Sequence, residues 1–144
     1  MKNIKRVLCL VLTLLMVAST VSVFAAFSDV PTTASYEKAV SALSQLGIIK
    51  GYDDGTFKPD NDVTRAEFTA MLMRTMGAGS IGSSSSADLP FSDVSDQNSD
   101  ISWSIPNINT AYKNGIVNGY EDGTFRPNDK VAYEEAVKMV VCAL

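Results

Sequence analysis

The sequence predicts an all-α fold made of two tandem helix-loop-helix units, and three observations carry that expectation. The stretch Gly51-Tyr-Asp-Asp-Gly-Thr-Phe-Lys-Pro59 returns as Gly119-Tyr-Glu-Asp-Gly-Thr-Phe-Arg-Pro127, the mark of an internal repeat. Apolar residues at helical spacing precede each copy of this nonapeptide. A helix-start signal, Val63-Thr-Arg-Ala-Glu67, follows the first copy. Both units also open on one tetrapeptide, Phe27-Ser-Asp-Val30 and Phe91-Ser-Asp-Val94. The openings lie 64 residues apart and the nonapeptides 68, so the second unit carries four extra residues around Ser95 to Ser102, where a surface loop is expected.

At the N-terminus, Lys2, Lys5 and Arg6 precede an apolar run from Val7 to Val17, and small residues then lead to Val23-Phe-Ala25. This is the pattern of a secretory signal peptide over 1–25, and the unbroken run is shorter than the roughly 20 residues that a bilayer span needs. Cleavage after Ala25 would take the charge balance from 12 basic against 16 acidic residues to 9 against 16. A net-acidic chain without clustered Lys and Arg argues against nucleic acid as a partner. Cys142 would be the one mature cysteine, which excludes an intramolecular disulfide, and its apolar helical setting reads as a buried thiol.

The first unit, 27–76, places Tyr36, Ala39, Val40, Leu43 and Leu46 on one helical face, with Gly47 as a left-handed stop. The second unit, 91–144, repeats this with Ile105, Ile108, Ala111 and Tyr112 before Gly115, and Pro106 is tolerated in a first turn. Asp54-Gly55 and Asp122-Gly123 mark turns in the connectors, flanked by aromatic residues that pin them to the helices. These acidic loops lack the alternating carboxylates and the twelfth-position Glu of an EF-hand, so no metal and no cofactor is called for. Thr64 and Glu67 form a capping box, Val63 and Phe68 a hydrophobic staple, and Phe68, Met71, Leu72 and Met76 an apolar face that ends at Gly77. A Gly/Ser-rich stretch, 77–90, reads as a linker, flexible over Gly77 to Ser86. Each repeat keeps only about 50 residues, too few to bury much surface alone, so the copies should pack on each other.

Arg65 does not fit a purely structural reading. At the first helical position its charge faces the positive end of the helix dipole, where a carboxylate would be favoured. Free N–H groups at the helix start, joined to a guanidinium, would suit an anion such as a planar carboxylate. The competing reading is an ion pair with Glu67 or a nearby Asp. In the second copy Ala132 and Tyr133 stand where Thr64 and Arg65 stand in the first, so the cap and the cation are both lost there. Ala136, Met139, Val140 and Leu144 keep an apolar face.

Together, the opening tetrapeptides, the Gly-Tyr-x-Asp-Gly-Thr-Phe-x-Pro blocks and Val63-Thr-Arg-Ala-Glu67 resemble the S-layer homology (SLH) motif of bacterial cell-envelope proteins, over 27–76 and 91–144. The resemblance implies an all-helical module in which three motifs pack around a pseudo-threefold axis, two-thirds of which this sequence holds. It implies a non-catalytic anchor, secreted to the cell surface, whose grooves bind a pyruvylated secondary cell-wall polysaccharide or a modified peptidoglycan. Arg65 maps onto the family's central binding arginine, with Thr64 and Glu67 of the same motif beside it. Trp103 holds the place of an aromatic residue near the start of the first helix, and reads as a sugar-stacking platform or as a core aromatic. Asp29 and Asp93 reach a groove or serve a local turn. Self-association, or a partner supplying a third motif, would complete the assembly, and assembly with other surface proteins without glycan is the alternative function. An enzyme is disfavoured, because the chain has no His and no spacing that picks out a nucleophile with a base.

Overall fold

The computed structural model describes residues 27–79 and 81–144, so the signal-peptide reading of 1–25 lies outside the described residues. They form helices and loops: α1 (Glu37–Gln45), α2 (Arg65–Thr75), a 3-10 turn (Ser86–Asp88), α3 (Ser99–Ser102), α4 (Ile105–Lys113) and α5 (Tyr133–Ala143). No strand occurs among the described residues, only one isolated antiparallel bridge between Thr64 and Lys130.

The helix ends follow local chemistry. Thr64 Oγ1 accepts from Glu67 N–H while the Glu67 carboxylate accepts from Thr64 N–H, so the capping box that opens α2 is complete. Pro106 sits in the first turn of α4, where its missing donor has no intrahelical partner to lose. Gly47, Gly77 and Gly115 follow α1, α2 and α4 with φ of 70°, 73° and 70°.

The repeated blocks recur together because they touch. Asp29 accepts from Phe57 N–H and Lys58 N–H, both at 2.7 Å, and Asp93 accepts from Phe125 N–H at 2.8 Å and Arg126 N–H at 2.7 Å. Each opening tetrapeptide thereby clamps the loop of its own unit. The first phenylalanine of the tetrapeptide packs on the phenylalanine of the nonapeptide, Phe27 on Phe57 at 5.6 Å and Phe91 on Phe125 at 5.3 Å. This packing explains the glycine that starts both loops. A Cβ at Gly119 would lie 2.6 Å from both Phe91 Cε1 and Thr124 O, and Gly51 meets Phe27 and Thr56 in the same way.

Between the units, α2 lies on α4. The buried stripe of α2 is Ala66, Thr69, Ala70 and Met73, rotated from the expected Phe68, Met71, Leu72 and Met76 face. Small side chains bring the two helix axes close, whereas Phe68 and Leu72 are partly buried at the margin and Met76 is 47% exposed. The two copies therefore differ in burial. Ile105, Ile108 and Ala111 of α4 are fully buried beneath α2. On α1 only Val40 is buried, and on α5 only Met139. Val137, Val140, Val141 and Cys142 of α5 are exposed, so the expected buried thiol is at the surface, because no described element covers that face.

Two loop expectations also change. The four-residue insertion makes a helical turn, α3, whose Ile101 enters the core at 1% exposure while Asn98 caps its start. The serine-rich stretch lies against α4, with Ser85 O accepting from Asn109 Nδ2 at 3.4 Å, and a Cβ on Gly82 would collide with Pro106. We expect Ala70→Leu to overpack the α2–α4 contact and destabilise the chain by about 1–3 kcal/mol in denaturant unfolding. Val137→Ala on the open face of α5 should stay within about 0.5 kcal/mol.

Candidate functional site

The start of α2 is where the first unit meets the loop of the second. Arg65 N–H donates to Asp129 O at 2.9 Å and Ala66 N–H to Pro127 O at 3.0 Å, while Glu67 N–H is held by Thr64 Oγ1 at 3.2 Å. The N–H groups expected to be free for an anion are thus already taken, two of them by carbonyls of the other copy. Val131 N–H to Val63 O at 2.9 Å and the exposed Lys130–Asp62 pair at 2.6 Å extend the same seam.

The Arg65 side chain runs into this seam and is 4% exposed. Its Nη1 lies 3.1 Å from Glu135 Oε1, its Nε donates to Phe125 O at 2.9 Å, and its Nη2 reaches Asn118 O at 3.5 Å. The guanidinium also lies over two rings, with Cζ 4.9 Å from the Tyr120 centroid and 4.8 Å from that of Phe125. The ion-pair reading of this residue therefore describes the resting protein, but its partner is neither Glu67 nor a neighbouring Asp. It is a glutamate of the second repeat.

Glu135 is held from three sides. Tyr120 Oη donates to Oε1, Ala132 N–H donates to Oε2 at 3.0 Å, and Arg65 approaches Oε1. Burial pushes its pKa up, but the Tyr120 and Ala132 hydrogen bonds and the Arg65 charge outweigh burial and leave it below the usual carboxylate range. Tyr120 moves the opposite way, raised by burial and by its bond to Glu135.

The remaining expected site residues are placed as follows. Thr64 and Glu67 flank Arg65 and are occupied by the capping box, and Glu67 Oε1 also accepts from Tyr52 Oη at 3.0 Å. Asp29 and Asp93 face backbone N–H groups of their own loops, the turn role considered from sequence, and those bonds, chiefly the one from Phe57, lower the pKa of Asp29. Asp93 still acts on the seam indirectly, since it fixes the backbone of Phe125, whose carbonyl takes Arg65 Nε. Trp103 is 47% exposed, with its indole N–H donating to Asp100 O at 2.9 Å, so it is a surface aromatic and not a core one. It shares no hydrogen bond with the Arg65 cluster. Asp54 and Asp122 spend their carboxylates on Thr56 and Lys58, and on Thr124 and Arg126; the Thr124 hydroxyl foremost brings Asp122 down to about 2. Glu135, Tyr120 and Phe125 were missed as site residues, although Glu135 aligns with Glu67 and the two aromatics belong to the repeated nonapeptide.

We expect Arg65→Ala to cost about 2–4 kcal/mol in chemical denaturation, because it strands a partly buried carboxylate and the Phe125 carbonyl. The lowered pKa values of Glu135, Asp29 and Asp122 imply stability that is present above the unfolded carboxylate range and lost as pH falls through the folded values. Melting temperature should decline from about pH 5 downward. Glu135→Gln, lower in stability at neutral pH, should show a shallower acid decline.

The chain matches the S-layer homology domain twice, over residues 26–69 and 90–137. It is 35% identical to a cell surface protein of Thermoanaerobacter kivui over 149 aligned residues, covering 100% of this chain and 19% of that protein. It is 35% identical to a surface layer protein of Brevibacillus choshinensis, covering 77% of this chain and 10% of the relative. An endoglucanase of Bacillus sp. (strain KSM-635) is 37% identical over 81% of this chain and 11% of its own length. The chain thus spans about a fifth or less of these relatives. With both repeats matched and the whole chain aligned to a relative above 30% identity, the protein belongs to the S-layer homology domain family.

Proposed function

We propose that this chain is a non-catalytic anchoring module of the cell surface that holds an acidic, pyruvylated secondary cell-wall polysaccharide at the seam between its repeats. The anchoring part is supported by the family and by the names of its relatives, which include a cell surface protein and a surface layer protein. A related stretch making up 11% of an endoglucanase supports a tethering unit attached to different cargo, and not a source of activity. No helix among the described residues is long and apolar enough to cross a membrane.

The observation that carries the glycan reading is the contact of Arg65 Nη1 with a single carboxylate oxygen at the rim of the seam. The Glu135 side chain is 24% exposed against 5% for Arg65, so the carboxylate is the outer member of the pair. A ketal carboxylate is chemically equivalent to that of Glu135 and takes its place, keeping the buried cation compensated throughout. Exposed Trp103 offers an apolar face for a sugar ring on the same repeat.

A second reading has its own support. Arg65 is already satisfied inside the chain, as it would be if the repeats served only to assemble with other surface proteins. Binding to purified sacculi separates the two. Exchange of carboxylates requires that Arg65→Ala lose the sacculus binding of the unaltered chain, that Glu135→Gln bind more tightly by several-fold despite its lower stability, and that sacculi lacking pyruvylated polysaccharide bind none of the three. Equal binding by all three proteins would rule out the glycan mechanism and favour assembly.

A further inference from the structure

We propose that Asn118 is a site of spontaneous covalent modification, where loss of ammonia produces an isoaspartate whose new carboxylate lies against Arg65. The sequence holds four dipeptides in which Asn or Asp precedes Gly: Asp54-Gly55, Asn114-Gly115, Asn118-Gly119 and Asp122-Gly123. Such pairs are prone to ring closure, because a following residue without a Cβ lets its backbone nitrogen reach the side-chain carbonyl. The fold protects three of the four and leaves one open.

Ring closure needs a free nitrogen and an unrestrained side chain. Gly55 N–H donates to Tyr52 O at 2.9 Å, Gly123 N–H to Tyr120 O at 3.0 Å and Gly115 N–H to Tyr112 O at 2.9 Å. The side chains of those three pairs are held as well. Asp54 accepts from the N–H and hydroxyl of Thr56, Asp122 from those of Thr124, and Asn114 Nδ2 donates to Thr110 O at 2.8 Å. By contrast, Gly119 N–H and the Asn118 side chain make no hydrogen bond among the described residues, and both residues are exposed. The first repeat has no counterpart, since Lys50 stands where Asn118 stands in the second.

Arg65 adds an activating charge. Its Nη2 donates to Asn118 O at 3.5 Å, the carbonyl of the same peptide group whose nitrogen is that of Gly119. A cation there draws electron density from the amide and favours loss of its proton. The Gly119 nitrogen, its proton passed to water, bonds to Asn118 Cγ; the Cγ–Nδ2 bond breaks and Nδ2 leaves as ammonia, which gives a five-membered imide. Water then opens the ring with no change of oxidation state. Attack at Cγ returns an ordinary aspartate. Attack at the backbone carbonyl breaks its bond to the Gly119 nitrogen, so the chain runs on through Cβ and Cγ as isoaspartate. In that product the carbonyl that accepts from Arg65 has become a free carboxylate, and the seam holds a second anion in competition with Glu135 for the guanidinium.

The test incubates the folded chain in mildly alkaline buffer and follows it by peptide mapping, with an isoaspartyl-specific methyltransferase to label the product. We expect Asn118 to convert about fivefold or more faster than Asn114, mainly to isoaspartate, because Gly115 N–H must first open locally. Asn118→Gln, a change at an exposed side chain, should release no ammonia from that peptide, and in urea the two Asn-Gly pairs should react at similar rates. Equal rates in the folded chain, or an Asn118 that persists while the unfolded chain is converted, overturns the site. The Arg65 Nε–H resonance tests the placement of the carboxylate. It should shift as the unaltered chain converts and stay fixed during the same incubation of Asn118→Gln; an unmoved resonance in the converted chain overturns the contact with Arg65. No glycan takes part in either measurement, so the outcome is separate from that of the polysaccharide reading.

Discussion

A buried guanidinium joins the two halves of this protein. Arg65 leaves the first turn of α2, crosses into the second repeat and meets Glu135, the Phe125 carbonyl and two aromatic rings. Such a cation is costly to take out of water, and a single ion pair rarely recovers that cost. Here the recovery is distributed. One carboxylate, one backbone carbonyl and two ring faces share the charge, while the amides of Arg65 and Ala66 are closed by Asp129 O and Pro127 O. An unfavourable position relative to the helix dipole is tolerable because the dipole's own donors are spent on the neighbouring loop.

From that join follows the unequal burial of two similar sequences. The aromatic clamp, the acidic tetrapeptide residue and the Tyr–Glu pair are present in both repeats. Only the second repeat has its first helix covered and its loop phenylalanine sealed, because only it receives α2. Identical side chains thus do different things in the two copies. Glu67 is a capping residue with a tyrosine attached, and Glu135 is that plus a counterion.

What could be read from the sequence was local. The capping box at Thr64, the glycine stops and the tolerated Pro106 depend on residues within a few positions of one another, and each is present. The two aspartates of the tetrapeptides were legible as turn residues, although the loops they hold lie 28 and 32 residues away. The buried face of α2 was misplaced because spacing rewards large apolar side chains, whereas close helix contact selects Ala66 and Ala70. The fate of Arg65 was not legible either. Its partner lies 70 residues downstream, and a sequence names an unusual cation without saying which carboxylate the fold will bring to it. The alignment of Glu135 on Glu67 held the clue, since a residue shared by both copies at the helix start invites the question of what faces it.

The seam ties a helix start, a loop and a charge into one unit, the frame on which the proposed polysaccharide site rests. Whether the seam depends on direct coupling between Arg65 and Glu135 is the central point, and a double-mutant cycle in equilibrium unfolding measures it. Arg65→Ala, Glu135→Ala and the combined variant should give a coupling energy of about 1.5–3 kcal/mol, with the double variant much less damaged than the sum of the singles. A coupling below about 0.5 kcal/mol would mean that the two residues act independently, and the account of the seam as one shared charge site would be wrong.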